Sequence, residues 1–120
     1  MQLDLLFITR HKPTNGQLAT AREIGFSGIV TKSIEFGDNP VEQLMEAGVY
    51  PGNIVAVVAP LYVSLILLRA GYILVDFVNE PSARQRGVFV CKGAWVHSID
   101  SSRFVPCPIS LELQEQSPLI

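Results

Sequence analysis

Short apolar runs alternate with amphipathic segments over the first two thirds of the chain. Residues 3–9, 28–36, 54–59 and 72–78 are rich in Leu, Val, Ile and Phe, and they are predicted to be β-strands. The segments between these runs have apolar residues at helical spacing and are predicted to be three helices. Strands that alternate with helices predict a parallel sheet with right-handed crossovers.

The predicted helices differ in how their ends and faces are marked. Thr14 followed by Gln17 has the pattern of a capping box at the start of the first helix. Asn39 is predicted to cap the second helix, with Pro40 in its first turn. The third helix, residues 61–70, is apolar almost all round. Such a helix is typical either of burial between the sheet and a C-terminal extension or of a subunit interface, and the frequency of isologous dimers favours a homodimer.

The alternation of strand and helix signals ends at about residue 88. Residues 88–91 and 94–97 have β-rich composition and predict one or two further strands, whereas the tail from Pro106 has weak periodicity. We therefore expect a single domain with a small three-layer, Rossmann-like α/β fold and a mainly parallel sheet. Its core is expected at about residues 1–87, and residues 88–120 are expected to form a C-terminal β extension.

Composition and charge exclude several classes of function and location. The net charge of −2 argues against DNA binding through a basic surface. The uncharged stretch 53–68 is short for a transmembrane helix and is interrupted by Pro60, so no membrane association is expected. Cys91 and Cys107 are too few for a disulfide framework, and nothing resembles a secretory signal. We therefore expect a cytoplasmic protein with reduced thiols.

Polar residues cluster where the first predicted strand ends. Thr9, Arg10, His11 and Lys12 follow its apolar run directly. Ligands of open α/β sheets bind at the carboxyl ends of the strands. A hydroxyl, permanent cations and a group that titrates near neutrality suit an anionic ligand and acid–base chemistry on it. A solvated loop would have the same composition, so the other loops at this edge decide between the two interpretations.

Further polar loops are predicted at the same edge. Lys32, Ser33 and Glu35 lie near the end of the second strand, and the third strand leads into a helix N-terminus, where backbone N–H groups favour anions. The remaining candidates, in the loops after the third and fourth strands, are Ala59, Pro60, Leu61, Asn79, Arg84 and Arg86. Each alone is typical of an ordinary loop or helix start, but their joint placement predicts a phosphate-binding rim.

Motifs of the common cofactor sites are absent from the sequence. No Gly-x-Gly-x-x-Gly follows the first strand, no P-loop lysine motif occurs, and the cysteines and histidines lack zinc-ligand spacing. Asp4, Asp76 and Glu80 do not form an evident magnesium cluster. We therefore expect no metal and no dinucleotide cofactor. Trp95 is predicted to lie in the core, and His97 is predicted to be structural.

Several short motifs resemble those of a small group of CRISPR-associated ring nucleases. Residues 7–11, Phe-Ile-Thr-Arg-His, resemble the first-strand motif of that family. Other resembling segments follow in the same order, at residues 51–55, 59–61, 69–72 and 81–87. The resemblance covers about residues 3–87. The chain has Lys12-Pro13-Thr14 where the family tends to have Pro-Gly.

The resemblance implies a fold, a ligand and a reaction. The fold would be like that of CRISPR-associated Rossmann-fold (CARF) domains, and the protein would be a homodimer that binds cyclic oligoadenylate, a messenger of type III CRISPR antiviral defence. Such enzymes need no metal: a ribose 2′-hydroxyl attacks the adjacent phosphate and leaves a linear product with a 2′,3′-cyclic phosphate. Cyclic tetra-adenylate is the expected substrate. The alternatives are a non-catalytic sensor or sponge for the same ligand and a structural or interaction module.

The resemblance also implies roles for the candidate residues. Arg10 would stabilise the charge that develops on the phosphate, and His11 would be the general acid or base, so these two are the expected catalytic residues. Thr9 and Asn79 would orient ribose or phosphate oxygens. The other expected ligand-binding residues are Lys12, Ala59, Pro60, Leu61, Arg84 and Arg86.

Overall fold

The computed structural model describes residues 3–116 of the chain. Residues 1, 2 and 117–120 of the predicted domain lie outside the described residues. Strands and helices alternate through the first four strands, as the apolar pattern predicts. The elements are β1 (Leu5–Ile8), α1 (Asn15–Ile24), β2 (Ile29–Lys32), α2 (Pro40–Glu46), β3 (Ile54–Val57), α3 (Leu61–Ala70), β4 (Ile73–Pro81), β5 (Phe89–His97), β6 (Ser102–Pro106) and α4 (Leu111–Gln116).

All six strands belong to one mixed sheet with the order β2-β1-β3-β4-β5-β6. The first four strands are parallel, and β5 and β6 extend the sheet by antiparallel pairing. Phe7 pairs with Ala56, and Ala56 pairs with Val75, so the three central strands are in register at this level. The predicted α/β class is therefore confirmed.

Successive residues of a strand face opposite sides of the sheet, so apolar strands have two faces to bury. Helices cover both faces of the parallel part. On one face, α2 and α3 pack against a cluster that includes Val55 and Leu74. On the other face, Ala21 of α1 packs against Ala56 and Val75. The parallel strands are thus buried between two helical layers, which explains their near-continuous apolar sequences.

The described part of the C-terminal extension, residues 88–116, packs beside α1 and does not cover the outer face of α3. Gln114 of α4 accepts a hydrogen bond from Cys91 N and donates one to Cys91 O, both at 2.8 Å. The oxygen of the Gln114 side chain lies 2.1 Å from where a Cβ on Gly16 of α1 would be, so the two helices meet closely. Of the two interpretations of the apolar α3, burial between the sheet and this extension does not fit the exposure of Leu61 and Tyr62. The outer face of α3 carries exposed apolar residues, which we call the α3 stripe: Leu61, Tyr62, Leu65 and Ile66.

Both predicted helix starts are confirmed in position, with Asn39 as the N-cap residue of α2 and Pro40 in its first turn, but the two caps differ in their hydrogen bonds. Thr14 and Gln17 form the reciprocal capping box. Asn39 makes no capping hydrogen bond through its side chain. Gln43 instead bonds the backbone of Gly37 and of Glu35, each at 2.9 Å, and so ties the loop before α2 to the helix. Within residues 3–116, no helix combines the length and apolar character needed to cross a membrane.

Strand lengths differ from prediction according to the partners available. β2 is an edge strand and ends at Lys32, opposite the last residue of β1, so the predicted continuation to residue 36 has no partner. β4 is longer than predicted because β5 pairs with it as far as Pro81. β5 is one continuous strand with an irregular register between Val78 and Asn79 of its partner. Neither β6 nor α4 was predicted from the sequence.

Candidate functional site

The parallel strands β1 and β3 are neighbours at the point where the winding of the sheet reverses, because β2 lies beyond β1 on one side and β4 lies beyond β3 on the other. The helix after β1 packs on one face of the sheet, and the helix after β3 packs on the other. The carboxyl ends of two such strands leave a crevice between the diverging loops, which is where ligands of open α/β sheets bind. The topology alone therefore predicts a ligand site between the loops after β1 and β3.

A cavity of about 310 Å³ lies at this point, and we call it the rim cavity. Its lining comes from the loops after β1, β2 and β3. The lining residues are Ile8, Thr9, Arg10, His11, Ser33, Ile34, Glu35 and Val58. The loops after β1 and β2, which the sequence places at one edge of the sheet, thus line the same cavity.

Two hydrogen bonds shape the loop after β1. Thr9 N donates to Lys32 O at 3.0 Å and continues the ladder between β1 and β2 by one residue. Thr9 Oγ1 then accepts a hydrogen bond from His11 N at 3.3 Å, which is the local turn that polar residues of this type favour. The hydroxyl thus fixes the backbone from which Arg10 and His11 extend.

Arg10 and His11 are both exposed side chains of the loop after β1. Within residues 3–116, Arg10 forms no ion pair and His11 accepts no hydrogen bond through its ring. A guanidinium in this state keeps all five N–H donors available for a phosphate or carboxylate. The imidazole of His11 lies beside it in the lining of the same cavity.

Glu35 adds a carboxylate to the same cavity. Its backbone is held by the hydrogen bond from Gln43 described above, so the loop after β2 is anchored to α2. Glu35 itself is exposed and has no ion-pair partner within the described residues. The rim cavity therefore combines a cation, an imidazole and a carboxylate, which can together bind an anion and move a proton.

A second cavity of about 400 Å³ lies beside the first, and we call it the α3 cleft. It opens between α3 and the adjoining face of β4 and β5. Its lining residues are Val57, Val58, Ala59, Leu61, Ser64, Leu65, Leu68, Leu74, Asp76 and His97. Val58 lines both cavities, so the two are neighbours.

Aromatic residues of β5 and β6 flank the α3 cleft. Trp95 stacks parallel to His97 with ring centroids 6.0 Å apart, and it meets Phe104 edge-on at 5.3 Å. His97 Nδ1 is hydrogen-bonded to Ser102 Oγ at 2.5 Å, which fixes the ring. The prediction that Trp95 lies in the core is wrong, because no helix within residues 3–116 covers this part of the sheet and 40% of Trp95 is exposed.

The predicted residues of the loop after β3 line the α3 cleft rather than the rim cavity. Ala59 and Leu61 are part of its wall. Pro60 is exposed and precedes the first residue of α3, and the helix has no side-chain cap there. Lys12 is exposed and lies outside the lining of both cavities. The predicted rim is therefore divided into a polar and a mainly apolar compartment.

The candidate residues at the end of β4 and in the loop after it lie away from the rim cavity. Asp76 follows Val75, which pairs with the residue before the end of β3, and β4 continues for five residues beyond Asp76. Five residues of strand span about 16 Å. Asn79 lies on this continuation and pairs with Cys91. Arg84 and Arg86 follow it in the loop to β5, and neither of these residues nor Asn79 lines the rim cavity.

Arg84 is used in a contact with α4. Its Nη2 lies 3.2 Å from Glu112 Oε1. Its backbone N donates to Glu115, which also accepts a hydrogen bond from the Ser82 hydroxyl. The loop between β4 and β5 is thus attached to α4, and the charge of Arg84 is compensated there.

Asp76 lies in the same region, and the sequence predicts no functional role for it. The signal was present, because Asp76 is the only charged residue in the apolar run 72–78. A carboxylate in a strand interior needs either a partner or solvent. Asp76 is exposed on the face that forms the α3 cleft.

Comparisons with known proteins give no further assignment. The chain matches no protein-family model, no curated protein and no solved structure. In residues 3–116, no group of three His, Cys, Asp or Glu side chains is arranged to hold a metal ion. The resemblance to ring nucleases therefore stays a prediction.

Proposed function

We propose that this protein is a metal-independent ring nuclease that opens cyclic oligoadenylate, with cyclic tetra-adenylate as its substrate. It would have a CARF-like Rossmann fold, act in the cytoplasm and switch off type III CRISPR signalling. The observation that carries the proposal is the rim cavity itself. An arginine that has no ion-pair partner in the described part of the chain lies together with a histidine at the topological switch point of the parallel strands.

The reaction needs positioning, charge stabilisation and two proton transfers. The ribose 2′-oxygen forms a bond to phosphorus while the bond from phosphorus to the 5′-oxygen breaks, which leaves a 2′,3′-cyclic phosphate and a 5′-hydroxyl. Arg10 stabilises the negative charge on the non-bridging oxygens. His11 takes the proton from the 2′-hydroxyl or gives one to the leaving 5′-oxygen, and Glu35 is the second titratable group available in the cavity.

Thr9 acts as a positioning residue in this proposal. Its hydroxyl accepts the His11 N–H and so fixes the loop that carries both catalytic side chains. Lys12 contributes charge at the edge of the site. Asn79, Arg84 and Arg86 have no part in it, because the continuation of β4 separates them from the rim cavity.

A homodimer is part of the proposal and is supported by the α3 stripe. Leu61 is 75% exposed and Tyr62 is 59% exposed, although both are large apolar side chains. Contiguous apolar surface of this kind typically marks an interaction site, and a second copy of the same chain is its commonest occupant in soluble proteins. Two copies would bring two Arg10 side chains to a ring that carries several phosphates.

Incubation of the purified protein with cyclic tetra-adenylate in EDTA tests the proposal. Chromatography with mass detection should show linear products that end in a 2′,3′-cyclic phosphate. Arg10→Ala and His11→Ala should each lower the rate by about a hundredfold or more. Tight binding without product would instead identify a sponge, and absence of both binding and product would contradict the proposal.

A further inference from the structure

The α3 cleft differs in chemistry from the rim cavity beside it. Most of its lining is aliphatic and comes from the end of β3 and from α3. Three side chains supply polar atoms: Ser64, Asp76 and His97. A mainly apolar cavity of this size with a few polar groups is typical of small-molecule sites. No positively charged side chain lines it.

Asp76 determines which ligand the cleft can take. Within residues 3–116, its carboxylate has no hydrogen-bond or ion-pair partner. An ionised carboxylate only accepts hydrogen bonds, so the ligand group beside it must be a donor. The same charge repels phosphate, which is attracted instead by Arg10 in the neighbouring cavity.

The arrangement fits a nucleotide whose parts divide between the two cavities. Apolar walls suit the faces of a flat heterocycle, and Asp76 suits an exocyclic amino group at its edge. Val58, shared by both linings, lies where the sugar would connect base and phosphate. Trp95 and His97 stand as parallel rings at the flank of the cleft, with His97 in the lining.

We propose that the α3 cleft binds the adenine base of an adenine nucleotide, and that Asp76 accepts a hydrogen bond from the 6-amino group. For the cyclic ligand this inference rests on the proposed function. The amino-bearing base can equally come from a free mononucleotide, so both sources enter the test.

The first experiment compares 5′-AMP with purine riboside 5′-monophosphate, which lacks only the 6-amino group. Both are titrated into ¹⁵N-labelled protein, and the single indole N–H signal of Trp95 reports on the cleft. AMP should shift that signal and bind about tenfold more tightly, as expected for a hydrogen bond to a charged group. In Asp76→Leu the two ligands should bind within twofold of each other. Equal binding to the wild type, or an unchanged preference in the variant, would overturn the inference.

The second experiment fills the cleft. Leu65→Trp places bulk in its lining, whereas Ile66→Trp places the same bulk next to it on the exposed face of α3, outside the lining. Leu65→Trp should weaken AMP binding at least tenfold relative to Ile66→Trp. Equal effects of the two variants would overturn the inference, and the comparison controls for changes in oligomeric state.

Cyclic tetra-adenylate separates the inference from the proposed function. If the wild type opens the ring while Asp76→Leu and Leu65→Trp bind and cleave it as the wild type does, the base site is wrong and the proposed function stands. If the ring is neither bound nor opened but AMP shows the predicted preference, the proposed function is wrong and the cleft is a mononucleotide site.

Discussion

In the parallel part of the sheet, apolar clusters on both faces provide the stabilisation, whereas in the antiparallel part polar side chains attach α4 to β5 and to the loop before it. Leu67 of α3 is fully buried in an apolar cluster on the parallel strands. Gln114 of α4 instead bonds the backbone of Cys91. This difference explains why Arg10 and Arg84 have different surroundings. Arg10 follows a strand that apolar packing secures and forms no ion pair within residues 3–116, whereas Arg84 is paired with Glu112 of α4.

The largest effect is expected from the apolar core of the parallel part. Leu67→Ala removes a fully buried side chain and leaves a cavity, and it should lower the free energy of unfolding by about 3 kcal/mol. Urea denaturation followed by circular dichroism measures this. Because all strands share one sheet, the loss should appear in a single transition. A loss below 1 kcal/mol would contradict the role given to this cluster.

The polar attachment of α4 should be weaker and more local. Gln114→Ala removes hydrogen bonds to both backbone groups of Cys91 and one to Ile109 O, so we expect a loss of about 2 kcal/mol. Gln85→Ala, which removes only an exposed 3.3 Å bond to the same helix, is the control and should cost under 0.5 kcal/mol.

Hydrogen exchange shows whether the Gln114 contact is confined to the antiparallel part. In Gln114→Ala, amide exchange should accelerate in β5 and α4, while β1 and the loop of Arg10 stay as protected as in the wild type. Acceleration spread evenly over the sheet would mean that the two parts do not differ as described.

One buried hydrogen bond in the parallel part gives a smaller effect with a definite pH dependence. Tyr72 Oη donates to Val49 O at 2.8 Å, and Tyr72→Phe should cost about 1 kcal/mol. Burial, with a further contribution from Tyr50, raises the pKa of Tyr72 above its usual 10.0. The folded state therefore holds this proton more tightly than the unfolded state.

The contribution of Tyr72 to stability is accordingly complete below pH 10 and is lost as the pH rises above that value. The difference in unfolding free energy between the wild type and Tyr72→Phe should shrink between pH 9 and 11, in matched urea titrations at about half-unit steps. A difference that grows with pH over this interval would contradict the assigned direction.

The smallest effect concerns the surface ion pair of the antiparallel part. Both side chains of the Arg84–Glu112 pair are more than half exposed, so Arg84→Ala should change stability by about 0.5 kcal/mol or less. Thermal denaturation in low and in high salt measures it, and the small loss should vanish in high salt. A loss of more than about 1.5 kcal/mol in unfolding free energy would mean that this exposed ion pair contributes substantially to the stability of the fold, contrary to the prediction.

Local signals explain how much of the parallel part was predictable. The capping box of Thr14 and Gln17 and the apolar run of α3 are each encoded within a few residues, and both are found as predicted. The placement of Thr9, Arg10 and His11 follows from the rule that loops after parallel strands meet at one edge. These features depend on contacts close in sequence or on the topology alone.

The antiparallel part was less predictable because its elements depend on distant partners. β6 has apolar residues only at Phe104 and Val105, and its strand conformation follows from pairing with β5. α4 is positioned by Gln114, whose hydrogen bonds no periodicity reveals. The length of β4 is set by β5 as well, which is why Arg84 could not be separated from the rim by sequence alone.

Binding of cyclic tetra-adenylate in EDTA to Arg10→Ala and to Arg84→Ala tests the central claim most directly. Calorimetric titration gives the dissociation constants, with the unfolding curves of both variants as a check on folding. Loss of the unpaired cation at the rim cavity should weaken binding at least tenfold, whereas loss of the paired Arg84 should change it by less than twofold. Equal weakening by both variants, or weakening by Arg84→Ala alone, would contradict the account.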